Sequence, residues 1–380
     1  MDTQATARIP QPFCDMPDPR RNNRRHYLID IITIALFAII CGAEDWEAVA
    51  LYGRCKVDWL KTFLKLPHGV PSHDTFNDVF NRLDPDAFES RFQAWMASLV
   101  QLSAGKLLAI DGKSLRRSFE HGWDKNGMAH MVSAFVQENR MVFAQVEAGG
   151  LGQELSAIER LLSMLDLNGA VVTIDALGCN PHIAGQILER NGNYVLPVKG
   201  NQETLQAKLS LAMDEAILEN FADIQHDIFE QTDGDHGRIE TRKLWVCWDV
   251  QELLGKELAG QWPGLKALIA IERTRELNGK TSCQRHYYIS SLDRRTKAKG
   301  LAGYIRGHWS IENNLHWQLD VSFNEDQRRV RKGHGAENLS RVTRIGLNLL
   351  KRESTAKCGI ANKRKNCGWS NDYLLKVLLA

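Results

Sequence analysis

The apolar positions along this chain change their period near residue 105. Before it they recur at helical spacing, three and four residues apart. The stretch "YLIDIITIALFAIICGA" stops at Gly42, and "EDWEAVALYGRCKVDWLKTFL" keeps the same period. "PSHDTFNDVFNRL" offers Ser72 as an N-cap, and "DPDAFESRFQAWMASLV" opens with Asp84 as cap and Pro85 at the first helical position. Residues 26–100 are therefore predicted to be helical.

Beyond residue 105 short apolar runs take over. "KLLAI" is predicted as a strand ending on Asp111, and "HMVSAFVQ" and "MVFAQVEA" as a hairpin turned by "ENR". The helix "QELSAIERLLSML" leads to a fourth strand, "GAVVTI", which also ends on a carboxylate, Asp175. A helix begun by Pro181 and stopped by Gly192 precedes a fifth strand, "NYVLPVKGN". The order is βββαβαβ. Residues 201–295 interrupt it with the helix "ETLQAKLSLAMDEAILENF", the polar stretch "DGDHGRIETRKLWVCWDV" and two strands, "LKALIAIERTR" and "RHYYISSL". Helical spacing returns in "KGLAGYIRGHWSIENNLHWQLDVSF", which carries Glu312, and a basic region and the amphipathic "DYLLKVLLA" close the chain.

Composition narrows the class. With 380 residues, 43% hydrophobic and 25% charged, the chain suits a soluble globular protein of two or three domains. A net charge of +2 does not announce a nucleic-acid binder, but its distribution does suggest one. Residues 328–366 hold twelve Lys or Arg against Glu337 and Glu353, and "RRNNRR" at 20–25 is a second basic cluster. The eight cysteines show neither a C-x-x-C pair nor metal spacing, which fits reduced thiols in the cytoplasm. The longest apolar segment, residues 31–43, has 13 residues. A membrane span needs about 20, so a buried helix is predicted and no membrane anchor is expected.

Two strand-end aspartates 64 residues apart and a glutamate on a late helix form the candidate chemistry. Neighbouring strands would bring Asp111 and Asp175 to one sheet edge, and a helix packed across it could deliver Glu312. Three converging carboxylates repel, so cations are needed to keep them ionised. Oxygen ligands favour Mg²⁺, with Mn²⁺ able to substitute. Two such ions about 4 Å apart can drive an in-line displacement at phosphorus. Asp320, two helical turns beyond Glu312, and Asp326 are the competing carboxylates. Trp309 and Trp317 are expected in the core rather than as base-stacking platforms.

"LLAIDGKSLRRS", "VVTIDALGCN", "YVLPVKGNQ", "HGRIETR", "YYISSL" and "GHWSIENNLHWQLDVSFNEDQ", in that order, resemble the H-repeat-associated, ISAs-type insertion-sequence transposases of the RNase H-like superfamily. The likeness runs nearly end to end, from "PSHDTFNDVFNRLDPDAF" to "GWSNDYLLKVLL". It departs at two places. Relatives carry a Lys-Ser-Asn-Glu-Ile stretch where this chain has "LGQEL", keeping Glu154 alone. A related group has an Arg four residues before the catalytic Glu, where His308 stands here, with Tyr304 and Arg306 out of register.

The resemblance implies an α/β fold: an RNase H-like mixed-sheet core flanked by helices, an all-α N-terminal domain, and an α+β insertion before the last catalytic helix. The expected domains are 1–100 (helical), 101–352 (catalytic, with 201–295 inserted) and 353–380 (a basic tail with a short helix). It implies Asp111, Asp175 and Glu312 as catalytic and metal-holding residues with two Mg²⁺ ions. Lys113, Lys199, His236, Arg238, Arg242, Arg328, Arg329, Arg331 and Lys332 are candidate DNA contacts. The expected function is metal-dependent cleavage and strand transfer of an insertion sequence. Its partners would be double-stranded DNA (terminal inverted repeats and target) and further copies of the chain, as a homodimer or higher oligomer on DNA, in the cytoplasm at the nucleoid. The alternative is an inactive relic that only binds DNA. A carboxylate-pair glycosidase leaves the basic region unexplained.

Overall fold

The computed structural model describes residues 11–21, 24–99, 105–119, 127–150, 152–235 and 238–380. Nine strands form one mixed sheet in the order β3-β2-β1-β4-β5-β9-β8-β7-β6. They are β1 (Leu107–Ser114), β2 (His130–Val136), β3 (Met141–Glu147), β4 (Val171–Ile174), β5 (Asn193–Val198), β6 (His226–Asp235), β7 (Arg238–Cys247), β8 (Ala267–Leu277) and β9 (Lys280–Ser290). β1 runs antiparallel to β2 and parallel to β4, and β4 runs parallel to β5. This five-stranded unit is the RNase H-like core.

The insertion continues the same sheet, because β9 pairs antiparallel with β5. Residues 201–295 hold four strands rather than the two expected. The β6–β7 hairpin escaped the apolar pattern because its outer half carries charge rather than apolar side chains. Cross-strand ion pairs line it instead: Lys243 with Glu230 at 3.6 Å, and Arg242 with Asp233 at 2.7 Å.

Helices cover both faces. Glu154–Ser163, Pro181–Glu189 and Glu203–Leu218 bury Ile158, Ile183 and Leu209 in one core with Leu108, Ile110 and Val172. On the other face the N-terminal helices share a core with Ala109, Phe135 and Val142 of the sheet. The helix Leu28–Ile40 is apolar nearly all round, as a fully enclosed helix must be. The caps expected at Ser72 and Asp84 are present: Ser72 Oγ accepts from the Thr75 amide, and Asp84 Oδ1 from the Asp86 and Ala87 amides.

The basic region is largely internal, contrary to a charged DNA-facing surface. Fifteen of the eighteen residues of the helix Gly335–Arg352 are buried. Arg341 and Arg344 are both fully enclosed. Their charges are met by Glu89 at 2.9 Å and Glu337 at 3.2 Å for Arg341, and by Glu325 at 2.8 Å for Arg344. Lys363 donates to the Leu350 carbonyl, and Arg364 to that of Ile39. These contacts tie residues 353–380, folded as the helices Ile360–Trp369 and Asn371–Leu379, to the helix Gly335–Arg352 and to the N-terminal helix Leu28–Ile40. No helix among the described residues is long and apolar enough to cross a membrane.

Candidate active site

Register sets the first two carboxylates side by side. Ile110 and Ile174 are the last partners of the parallel β1–β4 ladder, and the next residue on each strand is an aspartate. β4 stops there, but β1 does not: Asp111 pairs with Ser133 of β2, and the ladder runs on to Ser114. The expectation that the strand ends at Asp111 is thus corrected. The β2 hairpin takes up the backbone that a turn would otherwise have satisfied. Asp175 does leave its strand, and its Oδ1 accepts from the Gly178 amide at 3.3 Å. The capping role and the place in the site coexist.

The third carboxylate arrives across the sheet. The helix Ala298–His308 packs on β1, β4 and β5. Gly307 allows the close approach, since a Cβ there would sit 2.3 Å from Leu107 Cδ2. The chain then widens into a π turn, Glu312–His316, in which the Trp317 amide donates to the Glu312 carbonyl. Such turns occur often at functional sites. Donor atoms of Asp111, Glu312 and His316 lie within 4.8 Å of one another. Asp111, Asp175 and Glu312 line one cavity of about 390 Å³, with Lys199, Arg273 and His308 around it.

The electrostatics of this cavity are unbalanced. Burial first, then the negative charges of Glu312 and Asp175, pushes the Asp111 carboxyl up to about 7. Burial and the charge of Glu154 raise Asp175 as well, against the Gly178 and Leu177 amides and Lys199, which pull it down. Burial holds His308 at about 4 and His316 at about 3. Carboxylates so placed favour a cation, and the oxygen-rich donor set suits a hard divalent ion.

The expected DNA contacts divide. Lys199 lies exposed on the cavity rim. Lys113 does not reach it: the side chain is only 9% exposed, and Nζ lies 2.6 Å from Asp320 and 3.0 Å from Asp326. That arrangement also engages both competing carboxylates. His236 lies outside the described residues. Arg242 is held by Asp233 and Glu240, and Arg238 by Glu240, so these arginines meet carboxylates of their own sheet. Arg328 donates to the Phe323 carbonyl and Thr343 Oγ1, and Arg331 to the Arg117 carbonyl. Arg329 and Lys332 are exposed. Trp309 and Trp317 are corrected outward, at 50% and 54% exposed. Trp309 lines the cavity rather than the core.

Sequence reasoning passed over three neighbours of the carboxylates. Arg273 reaches the cavity from β8, its guanidinium 5.9 Å from the Trp309 ring centre. His130 Nε2 lies 3.4 Å from Glu154, and Nδ1 lies 2.9 Å from Ser114 Oγ. A side chain at Gly112 would collide with both His130 and Glu154, which explains the glycine beside Asp111. His316 is the third. Only its spacing from Glu312, one helical turn, could have signalled it.

Sheet order and the approach of a late helix to the β1–β4 edge place this protein in the RNase H-like class. More narrowly, it belongs to the DDE transposase family. The family description "Transposase DDE domain" matches residues 103–349, and "DDE_Tnp_1-associated" matches residues 11–96. "Putative transposase YncI" of Escherichia coli O157:H7 is 38% identical over 368 residues, covering 96% of this chain and 92% of that protein. "H repeat-associated putative transposase YhhI" of Escherichia coli strain K12 is 34% identical over 369 residues, covering 96% and 95%. Among solved structures, a piggyBac transposase synaptic complex with hairpin DNA aligns at TM-score 0.44 and 13% identity, over 99% of this chain and 77% of that one.

Proposed function

We propose that this protein cleaves and joins DNA strands as the transposase of an insertion sequence, with Asp111, Asp175 and Glu312 as its catalytic carboxylates. The observation that carries this reading is the β1–β4 register. It sets two aspartates side by side at the mouth of the cavity that Glu312 enters. The three carboxylates would hold divalent cations, Mg²⁺ by their oxygen chemistry, and such ions supply Lewis acidity at a phosphodiester.

The chain's own side chains do the rest. Asp111 is central, electrostatically coupled to both Glu312 and Asp175. Lys199 and Arg273 line the same cavity as the carboxylates and offset phosphate charge as DNA enters. Trp309, half exposed, forms part of one wall. Water cleaves one P–O bond at the element end and frees a 3′-hydroxyl. That hydroxyl then displaces an oxygen at a target phosphodiester, so each step exchanges one P–O bond for another. Pairing two element ends calls for at least two copies of the chain on DNA. In this reading residues 1–100 support assembly and residues 101–352 hold the chemistry, with 353–380 bracing both.

The test is a nicking assay on DNA that carries the inverted repeats flanking the element. Mg²⁺-dependent nicks at the repeat ends, abolished by chelation, are expected. DNA that is bound but never nicked, with Mg²⁺ or Mn²⁺, would replace this reading with that of a DNA-binding relic.

A further inference from the structure

We propose that His316 is a nitrogen ligand to the cation held by Asp111 and Glu312, which makes the cation positions at this site chemically unlike. The inference rests on the carboxylate site described above and adds a residue that the three-carboxylate reading does not contain. Asp111, Glu312 and His316 bring donor atoms within 4.8 Å of one another, and Asp175 is not part of that group. The imidazole is held in place rather than free to wander: His316 is only 9% exposed, and its Nδ1 faces Asp111 Oδ2 at 3.6 Å. That separation exceeds a hydrogen bond, so the ring is not simply fastening the aspartate.

The other nitrogen, Nε2, is buried with no hydrogen-bond partner among the described residues. If Nδ1 binds a cation, the proton must reside on Nε2, which fixes the tautomer. The π turn gives the arrangement its local cause, since it contains both Glu312 and His316 and lies directly across from Asp111. The site then has one position with two carboxylates and an imidazole, and another between Asp111 and Asp175 with oxygen ligands only. Nitrogen ligation favours transition ions over Mg²⁺, so the two positions differ in which ion they prefer.

The experiment titrates metal-free full-length protein with Mn²⁺ and records its electron spin-echo envelope modulation. Coupling of bound Mn²⁺ to a ¹⁴N nucleus is expected. It should disappear when the protein is labelled with ¹⁵N-histidine and in His316→Gln, and persist in His308→Gln. His316→Gln should also weaken Mn²⁺ binding by at least tenfold while changing Mg²⁺ binding less. The isotope label needs no substitution, so the assignment to histidine survives even if the variant folds poorly. Mn²⁺ that binds without nitrogen coupling, or coupling that survives His316→Gln, overturns the inference and leaves the carboxylate site standing. Failure to bind Mn²⁺ at all overturns both.

Discussion

Arg341 Nε lies 2.9 Å from Glu89 Oε2, joining two fully buried side chains 252 residues apart. The same glutamate accepts from the Gln145 amide of β3 at 2.8 Å. One carboxylate therefore ties an N-terminal helix, the sheet and the helix Gly335–Arg352 together. Glu89→Ala would leave the buried Arg341 guanidinium with Glu337 as its remaining carboxylate and the Gln145 amide without its acceptor, and should cost roughly 3 kcal/mol. Denaturant unfolding is the check. A loss below about 1 kcal/mol, the scale of an exposed pair, would mean the regions are not locked together there.

DNA affinity should fall with salt less steeply than twelve clustered cations suggest. Arg341, Arg344, Lys363 and Arg364 are buried and cannot release counterions from DNA. Neutralising exposed Arg329 and Lys332 together should reduce the slope of log K against log salt by about 2. Lys113→Ala should leave the slope unaltered, because Lys113 serves Asp320 and Asp326. Fluorescence anisotropy across a salt series measures both. A slope that moves with Lys113 and not with the pair would mean that DNA draws Lys113 from its carboxylates and that Arg329 and Lys332 form a solvated face.

Asp111 gives the metal-free protein a pH dependence of defined sign. Its folded value of about 7 lies above the ordinary 3.8, so the protonated form is favoured by folding. That contribution is fully present below about pH 4 and is lost as pH rises through about 7. In chelator, Asp111→Asn should melt several degrees above wild type at pH 8 and close to it at pH 4. Added Mg²⁺ should stabilise wild type more at pH 8 than at pH 6, because at pH 6 it must displace the proton. Equal melting of variant and wild type at pH 8 would mean that neither burial nor the neighbouring carboxylates disfavour the ionised Asp111.

How much of this was legible in the sequence follows from what each signal measures. β1 to β5 were readable because buried strands are short apolar runs, and Asp111 and Asp175 stood out as charges at their ends. The β6–β7 hairpin was not, because Glu230, Asp233, Arg242 and Lys243 hold it by pairing across strands, which leaves no apolar alternation. The reach of Lys113 was misread for a related reason. Its contacts, Asp320 and Asp326, lie more than 200 residues away in the chain. The basic block misled because composition counts charges without their partners, and Glu89, Glu325 and Glu337 enclose its arginines. His316 depends on a π turn that no apolar period announces.

Single-turnover cleavage of repeat-end DNA in Mg²⁺ by wild type, Asp111→Asn, Asp175→Asn and Glu312→Gln, with DNA binding recorded alongside, tests whether the three carboxylates carry the chemistry. Each substitution keeps the side chain's size and removes one negative charge from the shared cavity. Wild type should cleave, and each variant should lose several orders of magnitude in rate while binding DNA as tightly or more tightly. An Asp111→Asn protein that cleaves as fast as wild type would move the chemistry away from the β1–β4 edge.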